Sequence, residues 1–514
     1  MHARDCRGGK GERKCVLSGL GWLRKTKPKT YKANLRGFID VGCYRDLLDI
    51  CASVDPKELG GGSKEAIELE LLAEQIRSDL KALEAQTPSK QEASKMDVAE
   101  DEGKEKKTKP QKKKSLSISL AAKWAPSNKS LKYDNSKKGI KLGKRMAELM
   151  YPDSQAPRKL YRKTLSKLRS HLRIVEKDMS AKDFKKIDYA AVPSRAHNKY
   201  KNAFQKRDGE RYAQFKNDVK TGKKTIKARG MHPHELVNHF LRGGFQSQAP
   251  QGQWACPSCT FHNGAANSNC EVCGARKPDT IADTGDETVE LQWAALVESV
   301  QKEGLLQNCV AVSDVSGSMD GVPMQVSIAL GILVAQCSAE PFKGRLISFH
   351  ENPSWHKVPV ATKSLKAMVD NVKRMEWGGT TRMDKVFDLL LNVALEHKLP
   401  QEALPEKLFV FTDMQFDEAN GSGEYKTVFE QVKEKYERAG YRLPGVIFWN
   451  LRASKKAFPV NKDAPGVALV SGFSPDLIKT VMKGEFLTPM AILLKAVDKY
   501  EVKVDSSEAS TKSK

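Results

Sequence analysis

The chain has 514 residues, 39% hydrophobic and 29% charged, with a formal net charge of +24. That length exceeds one ordinary core and predicts several domains, while the composition excludes a wholly disordered or fibrous protein. No run approaches the roughly 18 apolar residues of a membrane span, and no signal-peptide apolar segment opens the chain; the expectation is an intracellular protein, in cytoplasm, nucleus or both, with no membrane partner.

The ten cysteines do not make a disulfide scaffold in a chain this long, and four of them at metal-ligand spacing point to a reducing compartment. The charge is concentrated. Residues 101–245 hold 39 Lys and Arg against 14 Asp and Glu, and the rest of the chain holds 48 against 49. Such a segment attracts polyanions, with nucleic acid as the default and RNA or another polyanion as the expected partner, and Tyr133, Tyr161, Tyr189, Tyr200, Phe204, Tyr212 and Phe215 interleave with its lysines. A merely solvated helical surface fits the same composition.

In chain order, residues 1–85 read as a helical N-terminal region. The start at Met1-His-Ala-Arg shows no obvious first helix and is read as lacking an upstream part. Tyr44 to Cys51 and Glu65 to Glu84 carry apolar residues at helical spacing, around a break at Gly60-Gly-Gly-Ser63. Residues 86–115, charged and poor in apolar side chains, are expected to be disordered. A basic helical region follows over 116–245, with helices expected at 160–175 and 196–219; it is repeat-like, without a clean period. His232, His234 and His239 do not form a metalloprotease pair, because His234 and His239 stand five residues apart, about 140° around a helix. They are read as helix-start and packing residues.

Trp254-Ala-Cys256-Pro-Ser-Cys259-Thr260-Phe261-His-Asn263, then Cys270-Glu-Val272-Cys273-Gly274, presents two Cys-x-x-Cys knuckles within a domain spanning 250–280. Four thiolates suit tetrahedral Zn²⁺, and an insert this small needs the metal for its stability. This segment resembles the zinc finger of the Ran-binding-protein-2 type. The resemblance implies ubiquitin recognition through Thr260, Phe261 and Val272, rather than RNA binding, because the second loop lacks Trp and paired Arg. A purely structural finger remains open.

From 290 to 500 the pattern alternates. Apolar runs at 308–312, 345–349, 408–411, 445–449 and 467–470 are expected strands, and amphipathic stretches near 324–338, 363–375, 382–397 and 425–439 are expected helices. Asp314-Val-Ser316-Gly-Ser318 follows the first strand, Thr380 (or Thr381) follows Trp377-Gly-Gly, and Asp413 ends the run from Phe409. These are hard oxygen donors at strand ends, suited to Mg²⁺. An EF-hand is excluded by Met319 at the turn-glycine position and Gln325 at the bidentate-acid position.

This constellation resembles the von Willebrand factor A domain and its metal-ion-dependent adhesion site. The resemblance implies Mg²⁺ or Mn²⁺ held by Asp314, Ser316, Ser318, Thr380 and Asp413, completed by an exposed acidic residue of a protein partner. Residues 501–514 read as a disordered tail. The whole chain resembles a poorly characterised eukaryotic family with a helical N-terminal half and a von Willebrand A-like C-terminal half. Arg4 to Arg13, Ala122-Lys-Trp124, Tyr161-Arg-Lys-Thr-Leu, Asp188-Tyr189 with Val192-Pro-Ser194, and Pro233-His-Glu-Leu236 carry that likeness. It is distantly similar to the TROVE module of Ro ribonucleoproteins. The expected fold class is multidomain: α-helical, then a small zinc finger with four cysteine ligands, then a doubly wound α/β (Rossmann-like) domain. The expected function is a non-enzymatic scaffold binding metal, protein and RNA or another polyanion; a protein-only ubiquitin-linked adaptor and an Mg²⁺-dependent hydrolase are the alternatives.

Overall fold

The computed structural model describes residues 1, 3–5, 12–53, 67–85, 118–127, 134–135, 140–228, 230–241, 253–255, 262–264, 271, 286–304, 306–375, 383–413, 422–452, 467–471, 494, 497–498 and 500–502. The chain divides into two compact units, Met1–Ile187 with Val497–Lys514, and Asp188–Ala496. The division falls inside the basic segment that the sequence presents as one region.

The first unit is helical: α1 (Lys14–Thr26), α2 (Pro28–Val41), α3 (Tyr44–Ser53), α4 (Ile67–Ala85), α5 (Ala121–Trp124), α6 (Leu142–Met150), α7 (Pro157–His171) and α8 (Val175–Ser180). A two-stranded antiparallel pair, β1 (Asp134–Asn135) with β2 (Ile140–Lys141), precedes α6. Proline at the start of α2 and of α7 sacrifices only an N–H that has no partner within the helix. One stripe of each helix then turns inward, Tyr31, Leu35 and Phe38 on α2, and Leu69, Leu72, Ala73 and Ile76 on α4. Apart from Phe38, these form one core with Leu47, Leu48, Met146, Tyr161 and Leu165. The helix expected over 160–175 ends at His171, and Arg173 at φ 47° separates it from α8.

In the second unit the helix expected over 196–219 is two helices, α9 (Ser194–Arg207) and α10 (Gly209–Lys220). Asp208 breaks them at φ −148°, and its carboxylate accepts a hydrogen bond from the Tyr189 hydroxyl at 2.7 Å. Next comes α11 (Pro233–Leu241); the three histidines lie at its start and along it, and the His232 amide donates to Glu235 Oε2 at 2.9 Å. A short antiparallel pair, β3 (Gln253–Ala255) with β4 (His262–Gly264), and then α12 (Glu287–Glu303) lead to the sheet.

The sheet has six strands: β5 (Cys309–Ser313), β6 (Arg345–Ser348), β7 (Trp355–Lys357), β8 (Lys407–Thr412), β9 (Gly445–Asn450) and β10 (Val467–Ser471). Their order is β10-β9-β8-β5-β6-β7, parallel except for β7, an antiparallel edge strand that hydrophobic pattern alone did not reveal. Its helices are α13 (Val322–Cys337), α14 (Leu365–Val372), α15 (Met383–Glu396) and α16 (Ser422–Arg438). Strand side chains alternate between two cores. Ala311, Phe409, Phe411, Ile447 and Trp449 pack with α11 to α14, whereas Val310, Val312, Leu408, Val410 and Phe448 pack with α15 and α16. Helices therefore cover both faces. Glu290 of α12 fixes the start of α14, accepting from the Leu365 amide at 2.6 Å and the Lys366 amide at 3.0 Å.

Candidate functional site

β5 and β8 are adjacent parallel strands, with Ser313 paired to Phe411. The residues that leave their carboxyl ends therefore emerge side by side, at the edge where open α/β sheets bind ligands. Asp314 follows β5 and Asp413 follows β8; they are 2% and 1% exposed. The Asp314 amide donates to the Phe411 carbonyl at 3.0 Å, which ties the first loop to the neighbouring strand. Asp314 Oδ1 accepts from the Ser316 amide at 2.9 Å, and its Oδ2 accepts from the Thr412 hydroxyl at 3.0 Å. Ser316 Oγ and Ser318 Oγ stand 3.0 Å apart. The sequence expectation that Asp314, Ser316, Ser318 and Asp413 share one edge corresponds to this arrangement.

Four features hold the loop. Met319 is fully buried and anchors it from below. Gly321 turns the chain at φ 92°, a left-handed conformation that a side chain would strain, and α13 begins at the next residue. Gly331 lets α13 approach β5 so closely that a Cβ there would lie 2.3 Å from Ser313 Oγ. Arg452, just past β9, donates to the Ser318 carbonyl. Thr412 and Arg452 were not among the sequence candidates. Thr412 precedes a candidate acid on the same strand, whereas no motif links Arg452 to the first loop.

Burial pushes the Asp314 carboxyl above its ordinary range, and the Asp413 carboxylate pushes it further the same way; hydrogen bonds from Ser316 and Thr412 oppose both. Two buried carboxyls side by side, with hydroxyls close at hand, form a donor set that a hard divalent cation fits. Among the described residues there is no group of three or more His, Cys, Asp or Glu that could hold a metal; this edge has two carboxyls, and its other oxygens come from serines. Thr380 and Thr381 lie outside the described residues.

The zinc candidates Cys256, Cys259, Cys270 and Cys273, with Thr260, Phe261 and Val272, also lie outside them, as do nearly all of 86–115 and 501–514. The pair β3–β4, with Trp254 opposite Asn263, brackets residues 256–261 in sequence. The basic segment differs from its expected surface in one respect. Tyr161, Tyr189, Phe204, Tyr212 and Phe215 are at most 4% exposed, so they are core and not a platform for stacking bases. Tyr189, Phe204, Tyr212 and Phe215 surround the buried His197 within the second unit, with ring centroids 5.6–6.4 Å from His197.

Residues 69–306 match a family described as "Domain of unknown function (DUF2828)", and residues 308–514 one described as "Domain of unknown function (DUF7788)". The "Uncharacterized protein L728" of Acanthamoeba polyphaga mimivirus is 33% identical over 524 residues, covering 97% of this chain and 78% of that protein. The chain belongs to the family of that viral protein. No solved structure matches the chain at a significant level. The join between the two matches falls between α12 and β5, yet Leu236, Val237, Val289 and Trp293 from before it share a core with Ile332, Phe409 and Trp449 from after it. In this chain the last helices of the first match and the sheet of the second belong to one compact unit.

Proposed function

We propose that the chain is a non-enzymatic intracellular scaffold whose C-terminal half is von Willebrand A-like and holds Mg²⁺ or Mn²⁺. The observation that carries this reading is the meeting of Asp314, two serine hydroxyls and Asp413 at the ends of adjacent parallel strands. Asp314, Ser316, Ser318 and Asp413 would hold the ion, with Thr380 completing the set that the resemblance implies. The bound ion supplies an open position for a carboxylate. This chain's own contribution is to fix the first loop through the Phe411 carbonyl and Met319, and to keep both acids out of water. A protein partner with an exposed Asp or Glu fits such a site.

In the same reading, Cys256, Cys259, Cys270 and Cys273 bind Zn²⁺ in a finger of the Ran-binding-protein-2 type. The bracketing strands β3 and β4 support it, and Thr260, Phe261 and Val272 are its surface for ubiquitin. The basic segment binds RNA by phosphate contacts and not by stacking, since Tyr161, Tyr189, Phe204, Tyr212 and Phe215 are buried. One observation favours the protein-only adaptor instead: Lys201 pairs with Asp286, and Lys216 and Lys220 both pair with Glu287, so part of the positive charge is matched within the fold.

The test is calorimetric titration of the full chain with Mn²⁺ and Mg²⁺, alongside elemental analysis for zinc. Saturable binding that disappears in Asp314→Ala and in Asp413→Ala is expected, with zinc near one equivalent. Binding that survives both substitutions overturns the cation site.

A further inference from the structure

Trp22 of α1, 61% exposed, is the one exposed aromatic side chain among the described residues. Its place follows from the register of the helix. Arg24 reaches inward to Glu68, and Leu20 and Leu23 pack against the core of the first unit. At about 3.6 residues per turn, these three sit about 100–200° around α1 from Trp22, so the indole is turned outward. A long side chain on a helix lies back over the positions three and four residues earlier. For Trp22 these are Gly19 and Ser18, and a Cβ at Gly19 would meet nothing within 4 Å. Both are too short to cover the ring, and its outer face is open. Lys25 and Thr26, exposed one turn further on, continue the same face.

The charge around this ring is of one sign. Residues 13–39 hold eight Lys and Arg and no Asp or Glu. Three of the eight serve the fold: Arg13 pairs with Asp46, Arg24 with Glu68 and Arg36 with Glu74. Lys14, Lys25, Lys29 and Lys32 are exposed, and Lys14 and Lys32 have no carboxylate partner among the described residues. An open aromatic face set among cations is the combination that takes an unpaired base together with its phosphates. Two rival occupants fit less well. A helix that lies on a membrane buries a broad apolar face, whereas the leucines of α1 are committed to the core and Cys15, Ser18, Gly19, Lys25 and Thr26 share the outer face with Trp22. A second copy docked by the same face would set cations against cations.

We propose that α1 and α2 form a contact for single-stranded RNA, one base stacking on the Trp22 indole and the flanking phosphates held by the cations of this segment, Lys14 and Lys32 among them. These residues lie outside the 101–245 segment, so the contact adds to the RNA reading above and does not depend on it. It supplies the stacking that the buried aromatics of that segment cannot.

The experiment is fluorescence anisotropy of a labelled uridine oligonucleotide of about twelve nucleotides with the full chain. Trp22→Ala should weaken binding roughly five- to 150-fold, the effect of losing one base stack, and Trp22→Tyr should restore most of it. Inorganic polyphosphate, which carries charge without bases, should bind wild type and Trp22→Ala alike. Lys32→Ala should weaken both ligands and lower the salt slope for the oligonucleotide by about 0.7. Equal oligonucleotide affinity of wild type and Trp22→Ala overturns the proposal. So does an equal loss on oligonucleotide and polyphosphate, which would make Trp22 a residue of the fold. Retention on phosphatidylserine vesicles that depends on Trp22, with the oligonucleotide unaffected, overturns it in favour of a membrane surface. The paired change Lys159→Glu with Lys163→Glu, on the exposed side of α7, tests the 101–245 segment separately. A loss there with none in Trp22→Ala leaves the segment's reading standing and removes this one; the opposite result does the reverse. No saturation by wild type up to roughly 0.1 mM removes both.

Discussion

In the first compact unit, the fully buried Glu68 meets Arg24 Nε at 3.0 Å and the Tyr31 hydroxyl at 2.7 Å, and the buried Asp46 is held by Arg4 and Arg13, each at 2.8 Å. In the second unit, Asp314 is comparably buried, but its hydrogen bonds come from an amide and hydroxyls, and the charge acting on it is a second carboxylate. No cation pairs with Asp314 among the described residues. A buried carboxylate is tolerated when a guanidinium matches it and is driven toward its neutral form when nothing does. The first arrangement reads as permanent structure. The second lacks such a match among the described residues, which is what the proposed cation site would require.

The largest expected effect tests the structural half of that contrast. Arg24→Leu leaves Glu68 buried with the Tyr31 hydroxyl and the Cys51 thiol, and should destabilise the fold by about 3–5 kcal/mol in urea unfolding. Restoring neutrality with Glu68→Gln in the same chain should recover most of the loss. If Arg24→Leu is silent, the guanidinium is not what makes Glu68 tolerable, and the comparison fails on its firmer side.

His197 sharpens the contrast, because it is buried with neither a counter-charge nor a second charge among the described residues. Its Nε2 stands 3.1 Å from the Tyr212 hydroxyl, which in turn lies 2.7 Å from Thr288 Oγ1. Burial pushes its pKa down from 6.5 to about 4. The unfolded chain takes up the proton below about pH 6.5, while the folded chain resists until about pH 4. The stability that neutral His197 contributes is therefore complete above pH 6.5 and is lost as pH falls toward 4, on the order of 3 kcal/mol in total. His197→Phe should flatten that part of the pH profile measured by urea unfolding. An unchanged slope would assign the acid sensitivity elsewhere.

Much of the carboxylate edge was legible because each acid sits directly after a strand that is almost wholly apolar. All five residues of β5 and five of six in β8 are buried, so the runs and their ends were readable. β7 was not, since Trp355, His356 and Lys357 are at best half-buried and carry no apolar run. The interleaved aromatics misled for a related reason. Phe204, Tyr212 and Phe215 alternate with lysines along the sequence, but helical spacing sends them inward to His197, where Tyr189 joins them from the turn before α9, while most of the lysines turn outward. The unity of α11 and α12 with the sheet was hidden as well, because a long insert separates the two helices in sequence, and only packing joins Val237 and Trp293 to Phe409. Arg452 was beyond reach, since its place beside Ser318 depends on the order of strands in the sheet and not on any local pattern.

The smallest effect, on the other side of the contrast, carries the clearest sign. A carboxyl whose folded pKa is raised holds its proton more tightly in the native chain than in the unfolded one. Its contribution is present at low pH and is lost as pH rises through the folded value. At neutral pH the Asp314 carboxylate is therefore a burden on the cation-free fold. Asp314→Asn keeps the shape and most of the hydrogen bonding and should raise the unfolding free energy of cation-free protein by about 1 kcal/mol, the usual gain when a strained functional group is relieved. Adding Mg²⁺ or Mn²⁺ should reverse the ranking. Wild-type protein should gain roughly 2–3 kcal/mol at a hundredfold excess over its dissociation constant, and Asp314→Asn should gain nothing. A substitution that destabilises the cation-free chain as Arg24→Leu does would place Asp314 with Glu68 and Asp46, among acids that serve the fold alone.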